Sequence, residues 1–423
     1  MNLKKPNYRP RLIDTQVALY LESFGAVSIE GPKFCGKTWT ALNHAKSVVY
    51  LMDPSDNYAA RQSARVNPSS LLKGEMPRLI DEWQEAPGIW DAVRFEVDKD
   101  SAKGRFLLTG SSMPAKEAPA HSGAGRIARL NMRTMSLFES GESTGDVSLA
   151  GLLKGESFDQ VYKEVDLEPV ALACVRGGWP ESIGLPAHVA ERVPMQYLEA
   201  IYASDISGLD NQQRNPHKVA ELLRALARNN ATLVSNKALK WDVTEGVGSI
   251  SSPTVAAYLS LLKRLFVLEE LPGWAPGVRS KIRVRTSPKR YLTDPSLATA
   301  ALFVSADRLL SDHTTFGSIF EGLCLRDLSI YASLMNANLF HYHDNTDLEV
   351  DAIIELADGT YGAVEIKLGG GVDEGAAVLT RFRQKMIAQG AEQPTTLIVI
   401  TASGLLHKRS DGVAVVPITC LRD

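Results

Sequence analysis

Gly31-Pro32-Lys33-Phe34-Cys35-Gly36-Lys37-Thr38 follows the short apolar run AVSIE at 26–30 and leads into KTWTALNHA at 37–45, which reads as a helix. The eight residues satisfy G-x-x-x-x-G-K-[ST] in the strand, glycine loop, helix order that the pattern requires. The loop residues Gly31, Pro32, Lys33, Phe34, Cys35 and Gly36 would curl around phosphates through their backbone N–H groups, which Pro32 alone lacks, and the helix N-terminus adds positive potential. Lys37 then reaches the β and γ phosphates of ATP, and the Thr38 hydroxyl coordinates Mg²⁺. The bland alternative, a chance match in a turn, is opposed by the flanking strand and helix.

Working outward, further apolar runs at 47–52 (SVVYLM), 77–80 (PRLI) and 105–108 (RFLL) are separated by segments long enough for crossover helices. This alternation predicts an α/β domain with a parallel sheet. The run at 77–80 ends in Asp81-Glu82. Behind a phosphate loop, two carboxylates at a strand end suit a Mg²⁺ ligand, Asp81, and a water-polarising base, Glu82. Without that loop the pair would read as a solvated turn. The next strand ends in Thr109-Gly110-Ser111-Ser112, whose hydroxyls suit the γ-phosphate or the lytic water, with Ser111 and Thr109 as candidates and an ordinary turn as the alternative. Arg126, in GRIARLN, could neutralise transition-state charge from within the chain or from a neighbouring subunit; otherwise it is a plain surface arginine.

Beyond this, residues 161–211 turn helical, with a sharp break at Gly177-Gly178-Trp179-Pro180, and read as a lid or connector. Helices expected at 219–228, 235–240 and 253–265, then strands at 266–271 and 290–293, follow the order of a winged helix-turn-helix. The segment 253–265 would be its recognition helix. Arg279, Lys281, Arg283 and Arg285, with Lys289 and Arg290, add positive charge suited to DNA phosphates, although such runs also occur on solvated faces. A helix around 318–334 precedes strands at 348–356 and 361–368, joined by Ala357-Asp358-Gly359-Thr360, a hairpin signal. Asp351 lies on one arm, and Glu365 and Lys367 share a face of the other. Two carboxylates and a lysine suit phosphodiester hydrolysis with Mg²⁺, and equally suit the polar face of an ordinary hairpin.

The order GPKFCGKT, RLIDEWQ, RFLLTGSS and GRIARLNMRTMSLFESGE resembles the prokaryotic AAA-type ATPases that carry a C-terminal domain of unknown function, DUF4143. The downstream segments YLTDPSLATAAL, GSIFEGLCLRDL, LEVDAII and AVEIKLG carry the likeness through nearly the whole chain. The resemblance implies an AAA-type ATPase domain at 1–150, a helical connector at 151–212, a winged-helix-like domain at 213–295 and a nuclease-like domain at 296–423. The last is similar to the PD-(D/E)xK nuclease core, in which Glu321 holds the place of a further acidic ligand beside Asp351, Glu365 and Lys367. The family continues after GRIARLN into a proline-containing segment, whereas this chain reads MRTMSLFE.

The chain has 423 residues, of which 44% are hydrophobic and 22% charged, as in soluble multi-domain proteins. A formal net charge of −3 means that any DNA contact must come from a local basic patch. Cys35, Cys174, Cys324 and Cys420 show neither zinc-ligand spacing nor a disulfide framework. With no apolar run of membrane-spanning length and no signal-like start, a cytoplasmic location is expected. Two readings remain open: a Mg²⁺-dependent ATPase that binds or remodels a nucleic acid or protein partner, and an ATP-regulated nuclease of a defence or toxin system. The oligomeric state is also open.

Overall fold

The computed structural model describes residues 3–113, 121–160, 166–209, 214–248, 250–277 and 286–423. The chain divides into two compact units: Met1–Thr134 with Ser204–Arg214 and Ser260–Val267, and the remainder.

The first unit is built on a five-stranded parallel sheet of β1 (Ala26–Glu30), β2 (Ser47–Tyr50), β3 (Arg78–Asp81), β4 (Phe106–Gly110) and β5 (Ile127–Asn131), in the spatial order β2-β3-β4-β1-β5. β1 and β4 are buried at every position, as expected for central strands covered on both faces. Alternate side chains feed two cores. Val27, Ile29, Leu79 and Leu107 pack with Ile13 and Val17 of helix α1 (Ile13–Ser23) and with Ala41 and Leu42 of α2 (Lys37–His44). Ile80, Phe106 and Leu108 pack on the other face with Ile89, Trp90 and Val93 of α3 (Gly88–Lys99) and with Trp83. Each such aliphatic side chain contributes roughly 1.5–3 kcal/mol on burial. Since β4 separates β1 from β3, the C-terminal ends of three adjacent strands deliver the phosphate loop, the Thr109 cluster and the Asp81-Glu82 pair to one edge.

In the second unit α4 (Leu167–Arg176) ends at Gly177, whose left-handed φ of 73° suits glycine. Helices α5 (Pro216–Arg228) and α6 (Asn236–Val247) follow, and α7 (Ser252–Arg264) begins in this unit and ends in the first. Strands β6 (Leu268–Leu271) and β7 (Lys289–Leu292) pair antiparallel. Two boundaries differ from expectation. Ser235 caps α6 by accepting from Ala238 N, and the helix runs on to Gly248 at φ 85°, well past 240. Phe266 is left-handed at φ 57°, so the strand begins at Leu268 and not at 266. The basic run 279–285 and the expected helical stretches at 161–165 and 210–213 lie outside the described residues.

The C-terminal part follows a 22-residue helix, α8 (His313–Leu334). Its sheet contains β8 (Asn338–His343), β9 (Glu349–Glu355), β10 (Tyr361–Lys367), β11 (Thr396–Thr401), β12 (His407–Lys408) and β13 (Ala414–Pro417), in the order β12-β13-β11-β10-β9-β8. β8, β9 and β10 form an antiparallel meander, and helix α9 (Val372–Ala388) crosses over to make β11 parallel to β10. The expected hairpin turn is present: Gly359, at φ 91°, donates to Leu356 O, and Leu356 N donates to Thr360 O. Among the described residues no helix is long and apolar enough to cross a membrane, and the four cysteines are buried free thiols.

Candidate functional site

The phosphate loop leaves β1 at Gly31, where a Cβ would stand 2.0 Å from Met132 O, so only glycine fits beside the chain that leaves β5. Gly36 turns into α2 at φ 104°. Buried Arg11 braces the loop from behind, donating from Nη1 to Cys35 O at 2.7 Å and from Nη2 to Arg133 O at 2.9 Å. Lys33 Nζ is 2.8 Å from Asp205 Oδ1, within the same unit, while Phe34 is exposed. Lys37, buried at the first position of α2, folds back to donate to Pro32 O at 2.7 Å. Its ammonium therefore lies over the hollow of the loop.

Asp81 joins the loop to the neighbouring strands. Its Oδ1 accepts from Thr38 Oγ1 at 2.8 Å and from Thr109 Oγ1 at 2.7 Å. Burial raises its pKa, and the two hydroxyls act against that by favouring the carboxylate. Glu82 leaves the strand in a left-handed conformation, φ 59°, with its N–H donating to Thr109 Oγ1 at 3.1 Å. Its Oε2 accepts from Ser111 Oγ at 2.8 Å and from Gln84 Nε2. Gln84 also donates to Ser111 Oγ at 3.2 Å. Thr38, Asp81, Glu82, Thr109 and Ser111 thus converge, and Gln84 and Arg11 join them. Gln84 stands two residues past Glu82, a spacing that could have suggested it; nothing in the sequence distinguishes Arg11.

Arg126 is not brought to this edge. Its carbonyl accepts from Ala26 N at the start of β1, so it lies at the end of the sheet opposite the loop. Five residues of strand at roughly 3.3 Å each separate the two ends. The guanidinium is half exposed, donating to Asp98 Oδ1 at 2.7 Å and to Ala124 O at 3.2 Å. A role on a phosphate bound by its own chain is therefore not supported by its position. The backbone that does pass the loop is that of Met132 and Arg133.

In the C-terminal sheet Glu321 of α8, Asp351 of β9, and Glu365 and Lys367 of β10 come together. Asp351 Oδ2 accepts from Ile366 N at 2.9 Å, Glu365 Oε1 from Asp351 N at 3.3 Å, and Glu365 Oε2 lies 2.7 Å from Lys367 Nζ. Lys289, at the start of β7, projects into the same cluster, with Nζ at 3.0 Å from Glu321, 2.8 Å from Glu349 and 3.2 Å from Asp351. Its side chain is 2% exposed. Burial, reinforced by Asp351, pushes the Glu321 and Glu365 carboxyls upward, while the surrounding carboxylates outweigh burial at Lys289 and hold it charged. The sequence reading grouped Lys289 with the basic run suited to DNA phosphates because SPKRYL looks like the end of that run; buried on three carboxylates, its ammonium is not available to a phosphate.

Residues 23–140 match the family model described as AAA domain, residues 316–421 that of the domain of unknown function DUF4143, and residues 168–308 that of the domain of unknown function DUF8612. Two relatives are the uncharacterized proteins Mb2031c of Mycobacterium bovis and Rv2008c of Mycobacterium tuberculosis. Each is 25% identical over 348 residues, covering 81% of this chain and 70% of the relative. Among solved structures, the Walker-type ATPase paby2304 of Pyrococcus abyssi is similar at 14% identity and a TM-score of 0.43, covering 71% of this chain and 98% of that one.

Proposed function

We propose that this chain, which carries an AAA-type P-loop ATPase domain followed by a DUF4143 domain, hydrolyses ATP with Mg²⁺ and couples turnover to binding or remodelling of a nucleic acid or protein partner. The observation that carries the reading is the shared oxygen of Asp81, bonded by both Thr38 and Thr109, with Glu82 next in sequence and fixed by Ser111. These residues fit a metal-bound nucleotide. Gly31 lets the loop pass tightly beside Met132 O, where any side chain would collide, and Lys37 needs only to release Pro32 O to meet β and γ oxygens. Thr38 and Asp81 would hold Mg²⁺. Held there, the ion would supply positive charge to offset that developing on the departing phosphate. Glu82 accepts a proton from the attacking water, and Ser111 and Gln84 keep its carboxylate pointed.

On this reading residues 1–150 are the ATPase domain, 151–212 a connector, 213–295 a winged helix and 296–423 a nuclease-like domain, and the protein works in the cytoplasm. The sequence of α5, α6 and α7 followed by the β6 and β7 pair supports the winged helix, with α7 as recognition helix and nucleic acid as the favoured partner. Phosphate release measured with and without duplex DNA at rising salt tests the coupling. Stimulation by DNA that fades steeply with salt is expected. Turnover indifferent to DNA at every salt concentration, yet raised by a co-purifying protein, would instead favour a protein partner.

A further inference from the structure

A nuclease-like fold implies a divalent ion between Asp351 and Glu365, and the residues present do not fit one. Among the described residues no group of three or more His, Cys, Asp or Glu side chains is arranged to hold a metal ion. The reason is visible around Lys289. Its ammonium has three N–H donors and faces three carboxylates, Glu349 at 2.8 Å, Glu321 at 3.0 Å and Asp351 at 3.2 Å. These are hydrogen-bond spacings, whereas Mg²⁺ draws oxygens in to about 2.0–2.1 Å. The remaining oxygen of Asp351 is taken by Ile366 N, and the two of Glu365 by Asp351 N and Lys367. Lys289 is anchored where β7 begins, paired with Leu271, and its buried stem gives the ammonium no solvated alternative.

We infer that Lys289 is the resident cation of this pocket, holding Glu321, Glu349 and Asp351 together where a nuclease would hold a metal, so that the C-terminal domain binds no catalytic divalent ion and does not cut phosphodiesters. A tethered ammonium competes for the same oxygens at high effective concentration, and its charge repels a second cation placed a few ångströms away. The carboxylates are spaced by a lysine that can be removed. Deleting its charge therefore opens a metal site.

The test is Mn²⁺ binding, followed by electron paramagnetic resonance and by melting temperature, on nucleotide-free full-length protein. A Thr38→Ala background keeps the ATP site from contributing. The background protein should bind no Mn²⁺ that depends on Asp351, and its melting should not respond to the ion. Adding Lys289→Met should lower the melting temperature and create one Mn²⁺ site per chain, with melting restored as Mn²⁺ rises, as mass action requires. The inference is overturned if the background protein, with Lys289 intact, binds Mn²⁺ in a way that Asp351→Asn abolishes. It is also overturned if the Lys289→Met protein folds and gains no site. Should Lys289→Met fail to fold, the Asp351→Asn comparison decides alone. ATP turnover enters neither arm, so failure here is distinct from failure of the ATPase reading.

Discussion

Asp81 has one oxygen with two hydroxyl donors, and the proposed metal-assisted hydrolysis depends on that carboxylate staying ionised in a buried setting. Thr109 favours the charged form, so Thr109→Val should raise the Asp81 pKa further. The sign is then fixed: the acidic limb of the pH profile of kcat/KM for ATP, which requires ionised Asp81, moves to higher pH in the variant. A profile superimposable on that of the wild type would contradict it. Gly31→Ala places a methyl 2.0 Å from a backbone oxygen that cannot swing away, so nucleotide binding should be lost while the protein remains folded. Titration with a fluorescent ATP analogue reads this directly. The phosphate loop and the acidic pair were legible because their chemistry sits within short contiguous segments. For Arg126, proximity in sequence to a motif says nothing about which end of a strand faces the site; the register Ala26 to Ile127 places it at the far end from its own chain's loop.

Among the elements, strands were easier to find than their surroundings. The first four of the first sheet coincide with short apolar runs, whereas β5, IARLN, exposes Arg129 and Asn131 and was not expected; the β9–β10 hairpin is marked by its Asp358-Gly359 turn. What periodicity could not show is the polar wiring between elements. Within α8, Arg326 and Asp327 are fully buried in a stretch that otherwise reads as apolar. Arg326 is bonded to Asp327 and to Asp294, while Asp327 accepts from Leu137 N at 3.0 Å. Removing one member of such a network leaves a buried charge unpaired, so Arg326→Ala should destabilise the second unit by ~3–5 kcal/mol in chemical denaturation. Arg326→Lys should recover only part of that. The carboxylate cluster adds a pH dependence. Glu321 and Glu365 have folded pKa values raised by burial, so the folded state binds more protons than the unfolded one, and stability falls as pH rises from the carboxylate range of about 4.3 through neutrality. Glu321→Gln should flatten this decline in a melting series; a decline of unchanged slope would place its origin elsewhere.

For the whole molecule, the family matches run in chain order through 23–140, 168–308 and 316–421. The middle one falls where the sequence offered only helix counts and a hairpin order, because α5, α6 and α7 carry no residue pattern tied to a particular chemistry. Lys289 was hidden for a related reason: its partners come from α8 and β9, and only tertiary packing brings them within hydrogen-bonding distance. The molecule carries one acidic centre with the parts for hydrolysis and a second whose cation is a lysine. On the proposed function, the first of these turns ATP over through Glu82. Steady-state phosphate release and ATP-analogue binding, compared between the wild-type protein and Glu82→Gln, test it most directly. The variant should bind nucleotide as the wild type does while its kcat falls by about 10²-fold or more. Equal turnover in the two proteins would contradict it.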